Sequence, residues 1–198
     1  MLCLNSACRF KGKNPLPIVA VDEPLYRRVP CFVIATVDKF GSLPWMVQAS
    51  AWADRERAFA ELDTLRSHGV PGIVTPVWIG RRTMYRIHAG PLADKNAADW
   101  LLDSLRASRR ADPVGSIAIQ VPLSFHLDST ALDPGRAIAL SDSLRAGGIS
   151  TFLLEQADGR VRLYAGAFES RGEAAVLDSL LQTLGRAGRL GVRVGHRP

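Results

Sequence analysis

The chain repeats itself. Asp63-Thr-Leu-Arg-Ser-His-Gly-Val70 recurs as Asp142-Ser-Leu-Arg-Ala-Gly-Gly-Ile149, and Tyr85-Arg-Ile-His-Ala-Gly90 recurs as Val161-Arg-Leu-Tyr-Ala-Gly166. Val47-Gln48 is echoed by Ile119-Gln120. Three echoes in one order argue for duplication of a single unit. A unit of roughly 70–80 residues buries only about 60% of its unfolded surface, so two such units would each be marginal and would lean on one another.

Periodicity gives the content of a unit. Trp45-Met-Val-Gln-Ala-Ser-Ala-Trp52 is a short apolar run of strand formers between Pro44 and Asp54. It predicts a strand, with Asp54 or a near neighbour capping the helix that follows. In that helix Ala58, Leu62 and Leu65 fall on one stripe, and Gly69 ends it. Strands are expected over 73–78 and 83–89, then a helix over 95–106 with Ala98, Leu101, Leu102 and Leu105 inward. The second copy predicts a strand over 116–123, a helix over 134–146, strands over 149–156 and 160–165, a helix over 171–184 and a closing strand over 192–194. The order β-α-β-β-α-β is the ferredoxin-like plan. The fold class is therefore α+β, two ferredoxin-like units in tandem, each an antiparallel sheet with two helices on one face.

One edge needs an occupant. No closing strand fits between Arg110 and Ser116, so either 116–123 is shared between the sheets or a leader strand over 31–37 fills the gap. On this reading residues 1–42 are a partly disordered leader, 43–112 the first repeat and 113–198 the second. Cys3, Cys8 and Cys31 all lie in that leader. Their number and spacing match neither a disulfide framework nor a zinc site, so they read as free thiols. The leader's apolar start is too short, and too soon followed by Arg9, Lys11 and Lys13, for an export signal; a start placed too far downstream is the alternative. No apolar run reaches the ~18–20 residues that a membrane-spanning helix needs.

The basic residues outnumber the acidic by 25 to 19, and only four of them are lysines. Arginine's planar fork suits carboxylates and phosphates, so an acidic polymer is a reasonable partner, although an arginine-rich proteome produces the same bias without a ligand. Catalysis has little support. His68, His88, His126 and His196 are scattered, and no nucleophile elbow, glycine-rich phosphate loop or paired-carboxylate motif appears. The chain reads as a non-enzyme that needs no cofactor.

Val47-Gln48-Ala-Ser50 with Trp52, then Ala58, Leu62 and Gly69, then Tyr85-Arg86-Ile-His-Ala-Gly90-Pro91 before an alanine-rich helix, resemble the SPOR (sporulation-related repeat) domain. Trp52 and Leu92 stand where phenylalanine is usual. The second copy matches at Gln120, Arg162, Gly166 and Phe168 but has Pro122 at a Gly/Ser position and a longer loop over 125–133. The resemblance implies a non-catalytic module that binds peptidoglycan glycan strands, stem-peptide-poor ones in particular, in the periplasm or cell envelope at sites of division. It also admits other division or envelope proteins as partners.

Alternation along the strands then places candidate contacts. Gln48, Ser50 and Trp52 are expected on one face, opposite Val47, Ala49 and Ala51, and Arg86 and His88 on the same open face. Gln120, Arg162 and Tyr164 are the expected equivalents in the second copy, with Pro122 at the place of Ser50. Amides, guanidinium groups and aromatic rings are what a sugar requires. Two other readings compete. Degenerate repeats whose sheets are pressed together would make a protein–protein scaffold. A ferredoxin-like RNA binder would need paired aromatics on its third strand, and Met84-Tyr-Arg-Ile-His-Ala-Gly90 lacks them, so nucleic acid is not expected as a partner.

Overall fold

The computed structural model describes residues 44–128 and 131–195. The leader, its cysteines, the strand expected over 31–37 and His196 lie outside the described residues. Two βαββαβ units follow one another. The first comprises β1 (Trp45–Trp52), α1 (Arg55–Ser67), β2 (Gly72–Ile79), β3 (Arg82–Leu92), α2 (Lys95–Ala107) and β4 (Ile117–Gln120). The second comprises β5 (Leu123–His126), α3 (Pro134–Ala146), β6 (Thr151–Glu155), β7 (Val161–Phe168), a 3-10 turn (Arg171–Ala174) leading into α4 (Ala175–Thr183), and β8 (Arg189–Val192). The sheet orders, β2-β3-β1-β4 and β6-β7-β5-β8, are the same order twice, and every pairing is antiparallel. This is the tandem α+β, ferredoxin-like plan read from the periodicity.

Local chemistry sets the elements. Asp54, Asp94 and Asp133 cap α1, α2 and α3, each carboxylate accepting a backbone N–H of the first turn. Pro76 sits in β2, an edge strand, where a missing N–H is tolerated. The Ala-Gly echo has a steric cause in the second unit: a side chain at Gly166, at φ +70°, would drive into the Phe168 ring and Leu177.

The expected strand over 116–123 is two strands. β4 pairs with β1 and closes the first sheet, so the first unit runs past Asp112 to Gln120. β5 then opens the second sheet. Only Val121 and Pro122 lie between them, and both ladders continue through the crossing: Val121 N–H donates to Pro44 O at 2.8 Å and Arg193 N–H to Pro122 O at 3.2 Å. Proline here permits a change of sheet without leaving a ladder donor orphaned. The closing strand of the second unit falls at Arg189–Val192, slightly before its expected place.

Each unit has a core between sheet and helices. Val47, Ala49, Leu62, Leu65, Val74 and Ile87 centre the first, and Phe125, Leu144, Leu163, Phe168, Leu177 and Leu181 the second. A third cluster lies where the helix-free sheet faces meet: Met46, Ile73, Val121 and Ala167, with Ile119 and Phe152 against them. Val77 and Met84 of the first unit reach into the second unit's own core. Each large side chain buried in this way contributes about 1.5–3 kcal/mol, so a handful of them holds two marginal units together. The repeat's own arginines reinforce the join. Arg66 Nη2 donates to Gly72 O at 2.9 Å and to Thr151 O at 3.0 Å. These carbonyls occupy equivalent places, since Gly72 faces Ala89 and Thr151 faces Ala165. Arg145 grips Asp63 through both carboxylate oxygens, at 2.7 and 2.6 Å.

Candidate functional site

The geometry of the site turns on an irregularity in β1. Gln48 stands opposite His88, but Ser50 stands opposite Ile87, so Ala49 is an extra residue on β1. Such a bulge reverses the alternation beyond it. Gln48 shares a face with Arg86 and His88, and after the bulge Ala51, opposite Arg86, joins that face. Ser50 and Trp52 turn to the helix side instead. There Glu61 of α1 accepts the Ser50 hydroxyl and the Trp52 Nε1–H, each at 2.6 Å, and the Arg57 guanidinium lies 3.7 Å from the Trp52 ring centroid. The expectation that Gln48, Ser50 and Trp52 line one face is therefore corrected: the bulge divides them.

Much of the face that carries Gln48 is covered by the second unit. His88 is fully buried, 3.2 Å through Nδ1 from Thr75 Oγ1, which also accepts Ala167 N–H at 3.1 Å. Among the described residues its Nε2 has no hydrogen-bond partner. Burial, and then the positive charges of Arg86 and Arg193, push its pKa down to about 3, so it is neutral at physiological pH. Arg86 keeps little exposure and donates to Glu173 Oε1 at 2.9 Å, with Glu169 at 3.8 Å. Glu173 itself is anchored by Glu169 N–H at 3.0 Å. Gln48 stays half-buried and Ala51 exposed, with the exposed Ile117 opposite Gln48 on β4. The part of this face still open to solvent therefore lies beside Gln48.

The second unit's equivalents differ from those expected. His126 stands opposite Tyr164 as Gln48 stands opposite His88, so His126, not Gln120, is the counterpart of Gln48. Gln120 is an exposed residue of β4, opposite Trp45. Tyr164 is completely buried, stacked on Phe152 (5.5 Å) and edge-on to His126 (4.8 Å). Its hydroxyl donates to Val194 O at 2.9 Å and accepts Val194 N–H at 3.1 Å. Arg162 is half-buried beside it, with Nε enclosed. Gln156 adds a hydrogen bond to Val194 O at 3.1 Å.

Three residues that contact the candidate site residues or the face around them escaped the sequence reading: Glu61, Glu173 and Arg193. Arg193 is fully buried, donates to Ser124 Oγ at 3.1 Å and lies 5.8 Å from the Phe152 ring, and burial lowers its pKa to about 9. None of the three sits in a repeated motif. Only Glu61 had a local signal, nine residues after Trp52 on a helix whose apolar stripe was already readable. Among the described residues no group of three His, Cys, Asp or Glu side chains is placed to hold a metal ion.

Comparison with known proteins finds a family likeness in the first unit. A stretch of 61 residues, 31% of the chain, is 41% identical to the DISARM protein DrmA of Bacillus paralicheniformis, and the chain spans only 5% of that protein's length. No solved structure matches significantly. Residues 42–117 match the family model of the SPOR domain, the boundaries of the first sheet almost to its closing strand. The first unit is thus similar to the SPOR domain, a family of non-catalytic domains associated with the cell envelope and with peptidoglycan binding.

Proposed function

We propose that this chain binds peptidoglycan glycan strands, preferring those poor in stem peptides, in the periplasm or cell envelope where walls are remodelled at division. The second unit is a divergent SPOR copy whose sheet has become a cover. The observation that carries the reading is the face shared by Gln48 and Arg86, an amide and a guanidinium beside an exposed strip of sheet. Together they supply in-plane hydrogen bonds to sugar hydroxyls and a charge for muramic carboxylates. Glu173 occupies Arg86 in the way a ligand carboxylate would, so strand binding competes with an internal acid. The likeness to DrmA covers a small part of that protein and adds no activity to this reading.

Co-sedimentation with sacculi, before and after amidase removal of stem peptides, tests it. Binding is expected to rise on denuding, to fall in Gln48→Ala and to rise in Glu173→Gln. No binding by any of these proteins to either form overturns the glycan reading. The burial of His88 and Arg86 against the second unit then favours the alternative, a protein–protein scaffold built from apposed sheets.

A further inference from the structure

A cleft of about 770 Å³ opens on the helix side of the first sheet, away from the Gln48 face. That volume lies within the range of small-molecule sites, about 300–1,000 Å³. Trp52, Arg57, Glu61, Arg109, Arg110 and Asp112 line it. Its two carboxylates are already satisfied. Glu61 accepts from Ser50 and Trp52. Asp112 accepts the N–H groups of Val114 at 2.9 Å and Gly115 at 3.1 Å, which hold its carboxyl below the usual range. Both carboxylates keep their charge, but their oxygens are taken up by neutral donors and neither pairs directly with an arginine, so the cleft keeps a net positive charge. Among the described residues Arg57, Arg109 and Arg110 make no ion pair, so three guanidinium groups border one concave surface.

The backbone supplies an independent sign. α2 ends with Arg109 N–H on Arg106 O (3.0 Å) and Arg110 N–H on Leu105 O (2.8 Å), the double closure whose left-handed position normally belongs to glycine. After α1, α3 and α4 that position is Gly69, Gly148 and Gly185. After α2 it is Arg109, at φ +56°, the one non-glycine residue with positive φ among those described. Strain tolerated at a cleft points to a use for the side chain it carries.

We infer that this cleft binds a carboxylated sugar of the muramic type, the carboxylate held by Arg109 and Arg110 and the ring set against the Trp52–Arg57 pair. The excess of guanidinium over carboxylate in the lining sets the sign of the ligand; the choice of sugar rests on the glycan reading above. The Trp52 indole N–H, fixed on Glu61, is the reporter. In nitrogen-15 spectra of the full chain, with the resonance assigned through Trp52→Phe, N-acetylmuramic acid is expected to move it. N-acetylglucosamine and inorganic phosphate are expected to leave it in place. Arg109→Gly is expected to raise Tm, since glycine relieves the left-handed residue, yet to weaken the sugar about tenfold through loss of a charge-assisted contact. Arg86→Ala is expected to lower sacculus binding without changing the Trp52 response, which separates failure of this site from failure of the sheet-face reading. The inference is overturned if the Trp52 signal does not move, if N-acetylglucosamine or phosphate moves it equally, if Arg109→Gly titrates like the native chain, or if Arg86→Ala abolishes the response.

Discussion

The two units share a strand order and divide its uses. In the first, the helix-free face carries Gln48, Arg86 and His88, and its cover comes from outside the unit, through Phe152, Ala167 and Glu173. In the second, the equivalent places hold His126, Arg162 and Tyr164, and much of the cover is the unit's own tail, with Arg193 on Ser124 and Val194 on Tyr164. A tyrosine whose hydroxyl both donates to and accepts from one backbone residue has no hydrogen bond left to offer a sugar. The strand order is the same in both units, but the face equivalent to the Gln48 face is an internal seam in the second. The comparison teaches that a repeated motif fixes topology more firmly than it fixes exposure.

The sharpest way to break the comparison is at Tyr164. Truncation to alanine empties a buried aromatic site and releases the tail, and is expected to cost about 3–5 kcal/mol in urea unfolding. Sacculus binding by the folded fraction should persist, because the first unit's face is intact.

His88, the equivalent position in the first unit, is distinguished by pH. The unfolded chain takes up a proton near pH 6.5 that the folded chain refuses down to about pH 3. Stability therefore falls as pH drops through that window, by up to about 1.4 kcal/mol per unit. His88→Gln removes this component. Unfolding free energies of the two proteins are expected to converge or cross between pH 6.5 and 4, whereas a constant gap would show that the imidazole titrates normally in the fold. Tyr164 has no such effect in acid; burial raises its pKa, so its contribution is lost on the alkaline side instead.

Glu173→Gln weakens the seam at its most ligand-like contact. A loss of about 1–2 kcal/mol is expected for a partly buried charge-assisted bond, together with the gain in sacculus binding described above. Loss of stability with no change in binding would make the Arg86–Glu173 pair a purely structural clasp. Asp63→Asn, at the half-exposed pair with Arg145, is expected to cost only about 0.5 kcal/mol.

How legible was this in the sequence? Capping aspartates, the Ala58–Leu62–Leu65 stripe and the glycine stops are local, and the helices α1 and α3 run where periodicity puts them. The bulge at Ala49 is not local. A small residue in an apolar run is compatible with straight alternation, and only pairing with β3 reveals the extra residue. The echo of Val47-Gln48 in Ile119-Gln120 misled for a related reason. Both pairs are apolar–amide dipeptides in strands, but one opens a sheet and the other closes it. The signal that separates them is Pro122, a residue that ends one ladder as readily as it marks divergence. Burial of His88 and Arg193 was out of reach, because it depends on which surfaces meet.

The two-residue crossing at Val121 and Pro122 has a thermodynamic consequence. Two domains on a flexible tether can melt one after the other, each with its own midpoint. Here almost no loop has to close before the sheets meet, and Val121 is itself buried where they meet. Val77 of the first unit completes the interior of the second, and Met46 and Ile73 of the first are buried only where the two sheets meet. The chain should therefore melt as one cooperative body, with calorimetric and van't Hoff enthalpies in agreement, so that the duplicated fold is two units in architecture and one in thermodynamics.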